Sequence, residues 1–470
     1  MLKKFLHTLT GKRSVPAKSD TATTDVAEPA SLSREQHGIS RKQISKHALT
    51  VIYDLQRAGH EAYLVGGGVR DLLLGGQPKD FDVATDATPE QIKSLFQRAR
   101  IVGRRFRIVH VRFGREIIEV TTFRAQHQDS DASHHGAANE QGMLVRDNVY
   151  GSLRDDALRR DFTVNALYYT VKGFRVLDYT GGIDDMRSRT LRIIGDPEQR
   201  YREDPVRMLR AIRFASRLDF AMAEDTAAAI APCAGQLTQV SPARLFDELI
   251  KLLMSGHSQR TFQLIEKHHV FSVLLPGTAQ IIDHADAALA SHYKRLLDAA
   301  LTSTDQRIAE DKPVTPAFLL AALLWPMVDR IARADMSNGS PRHNALLSAG
   351  HAAIEKQMAI AAMPRRHTLA MREIWTLQSR LEKTSGRRAA AIVHNRRFRA
   401  AYDFLLLREK AGEDVQGAGQ WWTDYQQQHP IDTKLVETDP KPRKRRRRRP
   451  KHSATSANRK HGAGSDPTST

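Results

Sequence analysis

Cysteine is nearly missing from this sequence: Cys233 stands alone among 470 residues. An intrachain disulfide framework and any zinc site built from CxxC pairs are therefore excluded, and a reducing compartment, the cytoplasm, is the expectation. Apolar runs of membrane-spanning length are missing too. The longest candidate, AFLLAALLWPM over 317–327, follows Pro316 and is broken by Pro326, so it reads as a buried helix. The N-terminal MLKKFLHTLTGKR is basic, but its apolar stretch is too short and interrupted for a secretory signal, and a soluble protein is expected. The glycine-rich stretch GGGVRD, 66–71, lacks both the lysine and Ser/Thr of a P-loop and the spacing of GxGxxG.

Acidic residues are the scarcer charge, with 53 Asp and Glu against 72 Lys and Arg and a formal net charge of +19. The excess is uneven. Over residues 440–470, eleven Lys and Arg face Asp466 alone, a balance of +10 that leaves the rest of the chain mildly basic. Such a tail implies a polyanionic partner: nucleic acid first, an anionic membrane surface second, by peripheral association only. Residues 14–35, rich in Ser, Thr, Ala, Asp and Pro, read as a disordered leader.

Between these ends, HGISRKQISKHALTVIYDLQRAG (37–59) carries apolar residues near helical spacing and stops at Gly59. AYLVGG and FDVAT read as strands, and ATPEQIKSLFQRA as a helix capped by Thr88 with Pro89 in its first turn. IVGRRF, RIVHVRFG and EIIEVTTFR alternate as further strands. The repeated βαβ rhythm of a Rossmann fold is missing. Residues 125–150 are polar and nearly patternless, and read as a surface loop able to close over substrate rather than as a metal site at His127, His134 and His135. LRDDALRRDFTVNALYY (153–169) reads as a helix, and FRVLDYTGGIDDMRSRTLRIIG as two strands around a Gly181-Gly182 turn. From about Tyr201 the pattern turns helical, with helices expected near 204–218, 243–255, 258–268, 315–328, 342–360, 366–382 and 397–411. The fold class is therefore α+β: a small α/β head with a mixed sheet, then helical neck and body domains. The expected boundaries are a leader over 1–36, a catalytic head over 37–200, a nucleotide-selecting neck over 201–275, an RNA-binding body over 276–425 and a disordered polybasic tail over 426–470.

Asp80 and Asp82 are two apart in an extended segment, so a strand puts both carboxylates on one face and Phe81 toward the core. Carboxylates that close repel unless a cation lies between them, and Mg²⁺ suits oxygen donors. Glu119, facing away from Ile118 and Val120, offers a third carboxylate from a neighbouring strand, which fits a two-metal phosphoryl or nucleotidyl transfer centre. Gly67 and Gly68 allow close backbone approach to phosphates, with Arg70 nearby. The plainer reading is a glycine turn with Asp71 pairing Arg70. His110 reads as a satisfied strand residue rather than a catalyst.

LVGGGVRDLLLG followed by PKDFDVAT resembles the head of the class II nucleotidyltransferases, the family containing bacterial poly(A) polymerases and CCA-adding enzymes. That resemblance implies that Asp80 and Asp82 hold the catalytic metals. RRDFTVNAL resembles the family's second motif, which implies roles for Arg159, Arg160 and Asp161 near ribose and phosphate, with Asp161 competing with Glu119 as third catalytic acid. YREDPVRMLRAIRFASRL (201–218) resembles the nucleotide-selecting helix, which implies that Asp204 and Arg207 read the incoming base, with Glu203 and Arg210 alongside; the plainer reading is an N-cap at Asp204 and a solvated arginine face. IVGRRFRIVHVRFG, HGISRKQISKHA and the basic tail resemble the polyadenylating branch. The implied reaction is template-independent addition of AMP from ATP to RNA 3′ ends, with pyrophosphate released and RNA-decay proteins as possible partners. A CCA-adding enzyme is the nearest alternative and a non-enzymatic RNA-binding protein the alternative of another class.

Removing residues 440–470 is expected to raise the KM for RNA more than it lowers kcat, and to flatten the salt dependence of RNA binding measured by filter retention.

Overall fold

The computed structural model describes residues 28–103, 107–125, 136–138, 144–147, 149–384 and 386–429. The first 27 residues, the double arginine Arg104-Arg105, the histidines His127, His134 and His135, and the tail from 430 onward lie outside the described residues. The strands of the N-terminal part are β1 (Ala30–Leu32), β2 (Ala62–Val65), β3 (Asp82–Thr85), β4 (Ala99–Val102), β5 (Ile108–Phe113), β6 (Glu116–Thr122), β7 (Gly136–Ala138), β8 (Leu144–Asp147), β9 (Leu167–Thr170) and β10 (Arg175–Asp178). Its helices are α1 (Arg34–His37), α2 (Lys46–Arg57), α3 (Gly67–Leu73), α4 (Pro89–Leu95), α5 (Leu153–Arg159) and α6 (Gly182–Arg187); α7 (Pro197–Glu203) and α8 (Val206–Leu218) open the helical remainder.

Eight of these strands form one mixed sheet in the order β1, β10, β9, β2, β3, β6, β5, β4. Neighbours are antiparallel except β3 and β6, which run parallel with Asp82 opposite Glu119. That pairing places the start of β3 beside the middle of β6, and it sets the site. Helix α2 covers one face. Ser45 caps it by accepting from the amides of His47 and Ala48, and Ala48, Val51, Ile52 and Leu55 form its buried stripe. At α4, Thr88 is the cap and Pro89 sits in the first turn, as the sequence predicts, and Gln91 completes a capping box.

Several expectations are corrected. The leader does not run unstructured to residue 36: Ala30–Leu32 pairs antiparallel with β10, and Leu32 packs against the head core. The helix expected from residue 37 begins at Lys46, because Ser40 caps a separate short turn, Arg41–Gln43, and Ser45 then starts α2. The segment 153–169 is not one helix. It ends at Arg159, turns through Thr163–Asn165 and continues as β9, whose four residues are all buried, as suits β-branched and aromatic side chains. Gly181-Gly182 opens α6 instead of closing a hairpin. Within the expected loop, β7 and β8 pair antiparallel. The 315–328 helix is two, Pro316–Leu323 and Trp325–Ser337, with Pro326 in the first turn of the second. The 23-residue helix Ala287–Ala309 was not expected, since the polar run Thr302–Gln306 thins its apolar stripe.

The head core is distinct from the helical ones, of which the C-terminal helices around Trp422 form a smaller cluster beside a large one. The large one starts with Phe162 and Val164, takes in α8, and runs to Ala411, so helices on either side of residue 275 share it. Among the described residues no helix is long and apolar enough to cross a membrane. A Cβ at Gly182 would lie 2.3 Å from the Thr163 carbonyl oxygen. Gly182→Ala is therefore expected to lose about 1–3 kcal/mol in urea unfolding, whereas Gly235→Ala, which has open space, stays near the parent value.

Candidate active site

The chain leaves β2 at Val65 and turns sharply at Gly66, whose φ of 74° belongs to the left-handed region that suits glycine. A Cβ there would also meet Arg160 Nη1 at 3.7 Å and Asp82 Oδ2 at 3.9 Å. Gly66 is thus the glycine that the backbone requires, and sequence reasoning, which singled out Gly67 and Gly68, missed it. Its signal was the strand-to-helix corner at the first glycine of the run. Gly67 and Gly68 open α3, where added Cβ atoms would make only ordinary contacts.

Asp80 and Asp82 line a cavity of about 410 Å³, together with Gly66–Gly68, Arg70 and Arg160, and with Phe81 buried beneath as expected. Burial pushes the Asp82 carboxyl up to about 6; the charges of Glu119 and Asp80 add to this, and Arg160 opposes it. Glu119 reaches Asp82 through the β3–β6 register but lies half exposed, 3.3 Å from Nε2 of His110, its cross-strand neighbour. His110 is therefore satisfied on its strand. Among the described residues, no three His, Cys, Asp or Glu side chains converge as a metal-holding group. The expected three-carboxylate cage is thus not closed. An exposed Asp80, a partly buried Asp82 and Glu119 nearby, all oxygen donors that repel one another, still suit a hard divalent cation.

Asp161 has a different environment. Its Oδ2 accepts from Arg210 Nε at 2.8 Å and Nη2 at 2.5 Å, while Oδ1 accepts from the Phe162 amide and from Asn165 Nδ2 at 3.1 Å. Burial pushes the Asp161 carboxyl up, but Arg210 and these donors outweigh it and hold it at about 2. Asn165 passes the link on: its Oδ1 accepts from Arg70 Nη1 at 2.5 Å, and Arg70 Nε donates to Asp71 at 2.8 Å. Arg70 is only 2% exposed and also lies over the Phe214 ring. Arg160 is set by Asp156 and Tyr168, donating through Nε to the Tyr168 hydroxyl at 2.8 Å and through Nη2 to Asp156 at 2.9 Å. Arg159 meets this region through its carbonyl, which accepts from Arg200.

The helix α8 supplies the opposite wall. Arg210, Arg213 and Arg217, three and four residues apart, share the face that lines the cavity, with Phe214 between them. Asp204 and Arg207 do not reach this lining. Asp204 accepts from Arg244 at 2.8 Å, and Arg207 donates to Glu203 at 2.7 Å and to the Arg200 carbonyl at 2.8 Å. The expected grouping of Asp204 and Arg207 with Arg210 on one recognition face is thus replaced by Arg210 with Arg213 and Arg217. Arg213 stacks over Phe214 at 4.7 Å, and its buried Nε has no hydrogen-bond partner. Burial lowers its pKa, and the like charge of Arg210 adds to that. A fixed cationic group with an open donor is suited to an anion.

A mixed sheet ending in paired carboxylates that face a basic hollow of nucleotide size defines a nucleotidyltransferase head, and family models agree. Residues 62–192 match the poly A polymerase head domain, 219–282 a probable RNA and SrmB-binding site of polymerase A, and 338–453 the polymerase A arginine-rich C-terminus. Poly(A) polymerase I of Salmonella typhimurium is 45% identical over 420 residues, 87% of this chain and 90% of the relative. This chain belongs to the bacterial poly(A) polymerase family. A CCA-adding enzyme of Bacillus subtilis is 40% identical over 230 residues, 49% of this chain and 55% of that one. The crystal structure of the Bacillus stearothermophilus CCA-adding enzyme in complex with CTP matches with a TM-score of 0.52 and 26% identity, covering 82% of each chain.

The carboxylate environment has a consequence for stability. The native Asp82 pKa of about 6 lies above its ordinary 3.8, so charged Asp82 destabilises the metal-free fold above that pH. As pH falls through 6, the native carboxyl takes up its proton and the penalty fades. Asp82→Asn is expected to be more stable than the parent at about pH 8, by on the order of 2 kcal/mol in thermal melts without divalent cations, with the gap closing near pH 4.

Proposed function

We propose that this nucleotidyltransferase adds AMP from ATP to RNA 3′ ends without a template and releases pyrophosphate. The observation that carries this reading is the facing of Asp80 and Asp82 by Arg70, Arg160, Arg210 and Arg213 across one hollow. Identity to Poly(A) polymerase I over nearly the whole relative supports adenylate as the added group. Asp80 and Asp82, with Glu119 beside them, would hold Mg²⁺, whose chemistry is to lower the pKa of the primer 3′-hydroxyl and to neutralise the triphosphate. Glu119 is preferred over Asp161 as the third acid because both oxygens of Asp161 are engaged.

The remaining roles fall to side chains already in place. Arg160, pinned by Asp156 and Tyr168, and Arg70, pinned by Asn165 and Asp71, hold the polyphosphate in a fixed orientation without rearranging. Arg213 brings an open donor to the same charge. Asp204 and Arg207 are kept as the base-reading pair on the strength of the family motif, with Arg244 and Glu203 holding them until nucleotide arrives. In this enzyme a catalytic head to about residue 200 is followed by a neck to about 275, an RNA-binding body and a basic tail that tightens RNA binding. The enzyme works in a cytoplasmic setting and in contact with RNA-decay proteins.

The test is incorporation of each labelled nucleotide into a generic RNA primer. ATP alone is expected to be added repeatedly, and Asp80→Ala with Asp82→Ala to lose at least about 10³-fold in rate. Retained turnover in the double variant would sink the carboxylate assignment, while dependence on CTP and a tRNA lacking CCA would favour the CCA-adding alternative.

A further inference from the structure

A second cavity, of about 460 Å³, lies in the helical body and shares no residue with the catalytic hollow. Its walls come from the end of the Ala287–Ala309 helix, the start of Pro316–Leu323, and the turn into Phe398–Lys410. It also lies outside the 219–282 segment matched by the RNA-binding family model. The floor is apolar, with partly buried Phe318 set edge-on against Phe404 at 6.4 Å. The rim is cationic: Arg307, Lys312, Arg396, Arg397 and Arg399 against Glu310 and Asp403.

The balance of partners shows which cations remain available. Lys312 pairs with Glu310 at 2.6 Å and Arg399 with Asp403 at 3.0 Å. Arg396 and Arg397 share the single carboxylate of Glu373, which lies outside the lining. Arg307 donates through Nε and Nη2 to the neutral Pro313 carbonyl, so it is oriented without being neutralised. Its charge meets Asp403 and Glu310 only at longer range. An aromatic ring on an apolar floor, with guanidinium groups held at the edge, is an arrangement that takes a nucleobase and its flanking phosphates. The volume falls within the range of about 300–1,000 Å³ usual for small-ligand sites, enough for a nucleotide unit.

We propose that this cleft binds the RNA strand behind the growing 3′ end, with a base over Phe318 and the phosphates against Arg307 and Arg396. An acidic peptide would use the cations but leave the aromatic floor without a planar partner, so single-stranded RNA is the occupant. The inference rests on the reading of RNA as substrate. The cleft and the catalytic hollow thus hold one strand at two places, and a primer too short to reach the cleft gains nothing from it.

The test uses the full chain with fluorescein-labelled oligoadenylates, short and long, binding being read by anisotropy separately from turnover with ATP. Arg307→Gln with Arg396→Gln is expected to weaken binding of the long oligonucleotide about tenfold and to flatten its salt slope by about 0.7 for each phosphate that is no longer neutralised. Phe318→Leu, which keeps an apolar side chain but removes the ring, is expected to weaken it about fivefold with an unchanged slope. In both variants kcat and the KM for the short primer stay at the parent values, and thermal melts report folding. A long-primer KM and salt slope equal to the parent's in the arginine variant would overturn the proposal. So would loss of labelled polyglutamate binding with RNA binding intact, which would assign the cleft to an acidic protein. Parent protein that binds the long oligonucleotide through the cleft but adds no AMP would overturn the proposed function and leave the cleft standing.

Discussion

The partly buried pair of Asp161 and Arg210 joins two parts of the chain that the sheet and the helices would otherwise keep separate. Asp161 follows α5 in the head, Arg210 sits on α8, and two donors of one guanidinium meet one carboxylate oxygen. Breaking such a pair from the Arg210 side leaves the more enclosed Asp161 carboxylate without its main counter-charge. Through Asn165 the same carboxylate orients Arg70, and through Arg70 it orients Asp71, which Arg217 of α8 approaches again at 3.5 Å. The hollow is therefore closed by a ring of charges that begins and ends on α8. The relation of the arginine wall to Asp80 and Asp82 depends on that ring.

On each side of the hollow like charges are held together, and the fold stabilises neither side fully from within. Asp82 is raised by burial and by Glu119, while Arg213 is lowered by burial and by Arg210. These opposite shifts face one another across the same space. A ligand that brings cations to one wall and phosphate oxygens to the other relieves both, which is how a preorganised site favours a metal–polyphosphate complex over either component.

Much of this was legible in the sequence, because the informative patterns are local. Phe81 is buried and Asp82 opens β3, with Asp80 just ahead of the strand; Thr88 and Pro89 start α4; and short strands give way to amphipathic helices after the sheet. What escaped depends on residues far apart in the chain. Asp204 is held by Arg244, 40 positions away, and Asp161 by Arg210, 49 positions away, so neither charge could be assigned a partner from spacing. The strand β9 was hidden because FTVNALYY follows a charged helical turn, and only burial on both faces selects the extended form. Gly66 was overlooked for a similar reason: three adjacent glycines look alike until the corner between β2 and α3 singles one out.

The short β1 has an effect beyond completing the sheet. Its three residues pair along β10 and occupy the hydrogen-bonding edge that Arg175–Asp178 would otherwise present. At the far side the sheet ends in β4, four residues long and carrying Arg100. Both margins are thus short, and a short edge offers another chain little to pair with.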